Sequence, residues 1–103
     1  MKREELFIGQ KVLDGNEVVT VVDIFSQQNP SPSNDIVVED DNGISYTAYH
    51  CNLDIVKVWI NYNDETGIWQ HSVQVVGDSL WIDSFDTEEK AIIFCHNCGL
   101  QIV

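Results

Sequence analysis

The sequence predicts an α+β fold that is mostly β. Two observations predict the sheets. The first half holds short runs rich in Val, Ile and Thr, each closed by a turn signal. The second half holds three more such runs, carrying three tryptophans. A third observation predicts one helix: apolar residues recur with helical spacing only near residues 87–98. At 103 residues, 44% hydrophobic and 10% aromatic, the chain is long and apolar enough for a packed core.

The elements follow in order. Phe7-Ile8 leads through Gly9-Gln10 into a strand at Lys11-Val12-Leu13, and Asp14-Gly15-Asn16 turns the chain. Residues 17–25 form a long β-branched strand. Residues 27–34 hold both prolines, Pro30 and Pro32, among Ser, Asn and Gln, which is loop composition. Residues 35–39 form a strand, and Asp40-Asp41-Asn42-Gly43 closes a hairpin on a type I′ Asn-Gly turn. Residues 44–50 return as a strand, and residues 51–54 make a short turn of 3₁₀ type. Strands at 56–62, 68–76 and 79–83, with turns at 63–67 and 77–78, form a three-stranded antiparallel meander.

The helix is expected from Thr87 to Cys98, with Asp86 as N-cap and Glu89 completing a capping box. Ala91, Phe94, Cys95 and Cys98 share its apolar face, with Ile92 beside them, and Gly99 ends it. Residues 100–103 make a short final strand. It fits either the edge of the chain's own sheet or a pairing across a dimer.

The first half resembles a small prokaryotic SH3-like barrel of the KOW or Tudor-like kind. The resemblance lies in Phe7-Ile8-Gly9-Gln10-Lys11-Val12, the Asp-Gly turn, the long second strand and the variable loop. It continues in Ile36-Val37-Val38-Glu39-Asp40, Gly43 and Ser45-Tyr46-Thr47-Ala48. It covers about half the chain and implies a binding scaffold with an open groove. The second half resembles short β-hairpin, Trp, Ser-Phe-x-Thr-Glu-Glu-Lys-Ala helix units of bacterial and phage proteins. The expected division is an SH3-like subdomain at 1–56 and a βββαβ subdomain at 57–103, packed together as one unit.

Charge is the most unusual property. Seventeen acidic and five basic residues give a net charge of −12 at pH 7. Such a surface repels phosphate backbones and anionic lipids, which argues against direct nucleic-acid or membrane binding. It favours a basic protein surface as partner, such as that of a nucleic-acid-binding protein. MKREELF carries no apolar stretch of the secretory kind, so a cytoplasmic protein is expected. The three cysteines, Cys51, Cys95 and Cys98, are then read as reduced thiols.

No residue pattern points to catalysis, and no cofactor is expected. Cys95-His96-Asn97-Cys98 has the spacing of half a zinc site, but a second C-x-x-C pair is missing. Cys95 and Cys98 also lie late on an apolar helix face, where a thiolate is disfavoured. Buried structural cysteines are the preferred reading, with a zinc site at Cys95 and Cys98 as the alternative. Cys51 lies beside His50, but neighbours on a strand point to opposite faces.

The function expected is that of a non-enzymatic acidic protein-binding module. Its sharper form is a phage or mobile-element inhibitor of the anti-CRISPR or DNA-mimic type that masks a basic surface. An SH3-like adaptor binding a peptide is the alternative. The candidate contact residues are the acidic Asp35, Glu39, Asp40, Asp41, Asp64, Glu65 and Asp78, with Tyr46, Tyr49 and Trp69 as aromatic anchors. Tyr46 and Tyr49 with a Trp could also cage a methylated lysine.

Overall fold

The computed structural model describes residues 1–25, 35–63, 70–77 and 80–103, with only the backbone of Asn63 and Gln70. The chain divides into two compact units, Met1–Ile55 and Val56–Val103. The α+β, mostly-β class is what the structure shows, with one α-helix among the described residues. No helix among these residues is long and apolar enough to cross a membrane.

The first unit is a five-stranded antiparallel sheet in the order β4-β3-β2-β1-β5. Its strands are β1 (Lys11–Asp14), β2 (Glu17–Ile24), β3 (Ile36–Glu39), β4 (Ser45–Ala48) and β5 (Leu53–Ile55). Alternation places one face inside. Val19 and Val21 on β2, Ile36 and Val38 on β3, Val12 on β1 and Leu53 on β5 are buried together with Leu6 and Ala48. Each buried aliphatic side chain is worth roughly 1.5–3 kcal/mol relative to exposure. β2 carries an extra residue: Val21 pairs with Val38 but Asp23 pairs with Val37, so Val22 is bulged and the long strand bends there.

Two turns differ from expectation. The 40–43 hairpin is not the two-residue I′ turn. Asp40 N–H donates to Ile44 O and Gly43 N–H to Asp40 O, leaving a three-residue loop with Gly43 at φ 78°. The cause is the Asp40 carboxylate, whose Oδ1 accepts from the Asn42 and Ile44 amides and holds the wider loop. The 3₁₀ turn spans His50–Asn52, and Leu53 and Asp54 already belong to β5, paired with Asp14 and Leu13 of β1.

The second unit is a four-stranded mixed sheet in the order β8-β7-β6-β9. Its strands are β6 (Lys57–Asn63), β7 (Gln70–Val75), β8 (Trp81–Phe85) and β9 (Gln101–Ile102). The meander β6-β7-β8 is antiparallel, and β9 returns parallel to β6 in the chain's own sheet.

Helix α1 (Glu88–Asn97) starts one residue later than expected. Thr87, not Asp86, is the N-cap: its Oγ1 accepts from Lys90 N–H at 3.2 Å. Asp86 instead pairs with the Lys90 ammonium at 2.9 Å. Ala91 and Cys95 are buried, and Phe94 meets Phe85 of β8 with ring centroids 5.0 Å apart. The helix closes with Leu100 N–H donating to Cys95 O and Gly99 N–H to His96 O. Gly99 sits at φ 68°, a left-handed cap that glycine adopts without Cβ strain.

Candidate protein-binding surface

Register decides which side chains share a face in the second sheet. Val58, Ile60 and Tyr62 of β6 lie opposite Val75, Val73 and His71 of β7, and Phe85 lies opposite His71. Phe85 touches Phe94, so this is the face covered by α1. The intervening residues point the other way. Trp59 is opposite Gln74, and Asn61 is opposite Ser72.

A regular β8 would place Ile82, not Trp81, opposite Gln74 on that second face. Its pairing jumps from Val73–Asp83 to Gln74–Trp81, so Ile82 is an extra residue. The bulge turns Trp81 to the side of Gln74 while Phe85 stays on the helix side. The helix-free face therefore carries the row Trp59–Gln74–Trp81 and beside it the row Asn61–Ser72–Ser84. Trp59 is 44% exposed and Trp81 55%.

The polar groups between the two indoles serve one another. Asn61 Nδ2 donates to Gln74 Oε1 at 2.6 Å. Trp81 Nε1 donates to Ser84 Oγ at 2.7 Å, and Ser84 shares a 3.0 Å hydroxyl bond with Ser72. The Trp81 ring is thus fixed along its own strand, with its N–H spent.

The first unit places the expected acidic residues differently from one another. Asp35 is tied inward: it accepts from His50 N–H at 3.1 Å, its Oδ2 lies 2.8 Å from His50 Nδ1, and Arg3 Nε stands 3.3 Å from the same oxygen. The Arg3 contact is a charge contact without an aligned hydrogen bond. Asp40 holds its hairpin, and Asp41 is exposed at the tip. Glu39 is half-buried in a cross-strand row with Thr20 and Lys11. Asp64, Glu65, Trp69 and Asp78 lie outside the described residues.

The two tyrosines are engaged locally. Tyr46 is half-buried against the core, and its hydroxyl donates to Asp14 Oδ2 at 2.6 Å. Burial, then the Asp14 bond and the nearby Asp14, Glu17 and Asp40 carboxylates, push its phenol well above the ordinary range. Tyr49 packs edge-on against His50 at 4.6 Å. Cys51, through a hydrogen bond and through the negative charge of its thiolate form, raises the Tyr49 phenol, with burial and Asp35 adding to the effect.

His50 and Cys51 are held apart chemically by a different route from the one expected. They lie on a 3₁₀ turn, not a strand, and His50 Nδ1 is turned to Asp35 while Cys51 meets Tyr49. None of the three cysteines is in a disulfide. Cys95 is buried, and desolvation, with Cys98 close by, raises its thiol. Among the described residues no three His, Cys, Asp or Glu side chains gather as metal donors.

Trp59 and Trp81 were not among the residues singled out by sequence. Trp59 had a signal, since it alternates with Val58 and Ile60 and so faces away from them. Trp81 had none, because plain alternation groups it with Phe85. Compared with known proteins, the chain matches no family model, no curated protein and no solved structure.

Proposed function

We propose that the chain is a non-enzymatic protein-binding module that meets a basic protein surface, anchored by the helix-free face of its second sheet. One observation carries this reading: two large indoles are exposed in one cross-strand row of a chain with net charge −12. Tryptophan dominates interface energetics, and the negative field steers a basic partner toward it.

The first unit is read as an SH3-like barrel. Supporting this are the strand order β4-β3-β2-β1-β5, the bend at Val22 and the 3₁₀ turn immediately before β5. A peptide-binding adaptor remains the natural second role for such a scaffold.

Supply of carboxylates argues for an aromatic anchor over a DNA-mimic row. Asp14, Asp35, Asp40 and Asp86 are held by Tyr46, His50 with Arg3, hairpin amides and Lys90. Asp23 and Asp83 each accept from the amide of the next residue. These groups attract at long range, and each is already engaged in a local contact.

Affinity capture at low and high salt, with the wild type beside a Trp59→Ala, Trp81→Ala double variant, tests the proposal. The expected result is a basic protein retained at low salt, weakened at high salt and lost with the double variant. Retention indifferent to both salt and the two indoles refutes it.

A further inference from the structure

Resting on the reading that this face is the contact surface, we infer that Trp59 and Trp81 clasp an arginine side chain presented by the protein partner. The argument begins with what the face has left to offer. The Gln74 oxygen between the rings already accepts from Asn61, and the Trp81 N–H already donates to Ser84, which in turn bonds Ser72. What remains is the spare capacity of neutral amides and hydroxyls, which serve cation and anion alike, and the two indole π faces, which favour a cation.

Spacing fits a planar group. Trp59 and Trp81 lie on β6 and β8, either side of β7. Two strand spacings separate their backbones by about 9.5 Å. A flat group stacked between two rings needs about 7 Å between them, at about 3.5 Å per contact, which a backbone separation of that size accommodates.

Charge selects the occupant. A net charge of −12 repels anions and nucleic-acid backbones and favours a cation. Tryptophan is the strongest cation–π partner among the aromatic residues. Arginine fits better than lysine, because its guanidinium is planar, stacks on aromatic faces and is less strongly hydrated. A proline-rich or purely apolar segment would use the rings but gain nothing from the charge.

The test titrates the full chain with three capped peptides identical except at one residue, which is arginine, its neutral near-isostere citrulline, or lysine. The indole N–H resonances of Trp59 and Trp81 are followed by NMR, assigned through Trp59→Phe and Trp81→Phe. The arginine peptide is expected to shift both resonances saturably. The lysine peptide should bind a few-fold more weakly, and the citrulline peptide about tenfold more weakly. Trp59→Ala and Trp81→Ala should each weaken the arginine peptide about fivefold, and the peptide comparison on wild type stands even if either variant fails to fold.

Equal response to citrulline and arginine overturns the inference while leaving the face as a contact surface. Silence of both indoles toward every peptide, with capture still lost in the double variant, likewise overturns the arginine assignment alone. Silence together with unaffected capture overturns both.

Discussion

Leu53→Ala probes whether β5 is fixed in register by its single core residue. Leu53 is fully buried with Val12, Val19, Val21, Ile36 and Val38, whereas Asp54 beside it is exposed. The substitution removes three carbons, worth about 0.8 kcal/mol each in transfer, or roughly 2.4 kcal/mol. The cavity left behind adds to this, giving about 3–4 kcal/mol in total. A chain of this size has roughly 5–15 kcal/mol of stability, so the variant should fold but with much of its margin gone. Urea unfolding followed by far-UV circular dichroism should show the midpoint falling by about 1.5–2 M at a slope near 2 kcal/mol/M. Asp54→Ala is the control and should move stability by no more than about 0.5 kcal/mol. The reasoning fails if Leu53→Ala costs less than about 1 kcal/mol, or if the two variants cost the same, since a one-residue slip of β5 would exchange their faces.

Tyr46 should remain protonated well beyond the ordinary phenol range, because its ionised form is disfavoured by burial and by the Asp14 bond. With the folded value raised, its stabilising contribution is complete below about pH 10 and is lost as pH rises above that. Ultraviolet titration should show late phenol ionisation, to which Tyr49 also contributes, and Asp14→Asn should bring the Tyr46 part of it down. Thr87→Ala should cost about 1 kcal/mol of stability through loss of the N-cap, read by thermal unfolding. Asp86→Ala should cost less, with the deficit fading in high salt, because the Lys90 pair is exposed. Alkylation followed by mass spectrometry should modify exposed Cys51 first and buried Cys95 only on unfolding.

What the sequence disclosed and what it concealed separate along a physical line. Local signals were readable. Val- and Ile-rich runs at 17–25 and 35–39 marked strands, and Ala91 with Cys95 marked the packed side of the helix. Gly99 marked its end. Features set by tertiary pairing were not. The extra residues Val22 and Ile82 reverse facing along β2 and β8, and no residue type announces a bulge. The Asp35–His50 contact spans fifteen positions and depends on β3 and the 3₁₀ turn meeting. The helix cap moved by one residue because Thr87 and Asp86 are both good caps, and Lys90 gave Asp86 another partner. At the candidate surface, charge was evident from composition, while the two indoles on the helix-free face emerged only once strand register was known.

The irregularity at Ile82 also bears on colloidal behaviour. β8 is an outer strand of its sheet, and Leu80 and Trp81 are exposed there. A straight strand of that composition would template stacking of one molecule on the next. The extra residue breaks the evenly spaced row of amides and carbonyls and twists the rim, so a neighbour finds no continuous ladder to extend. An Ile82 deletion, which restores an even ladder, should therefore raise the light scattering of concentrated solutions above that of the wild type.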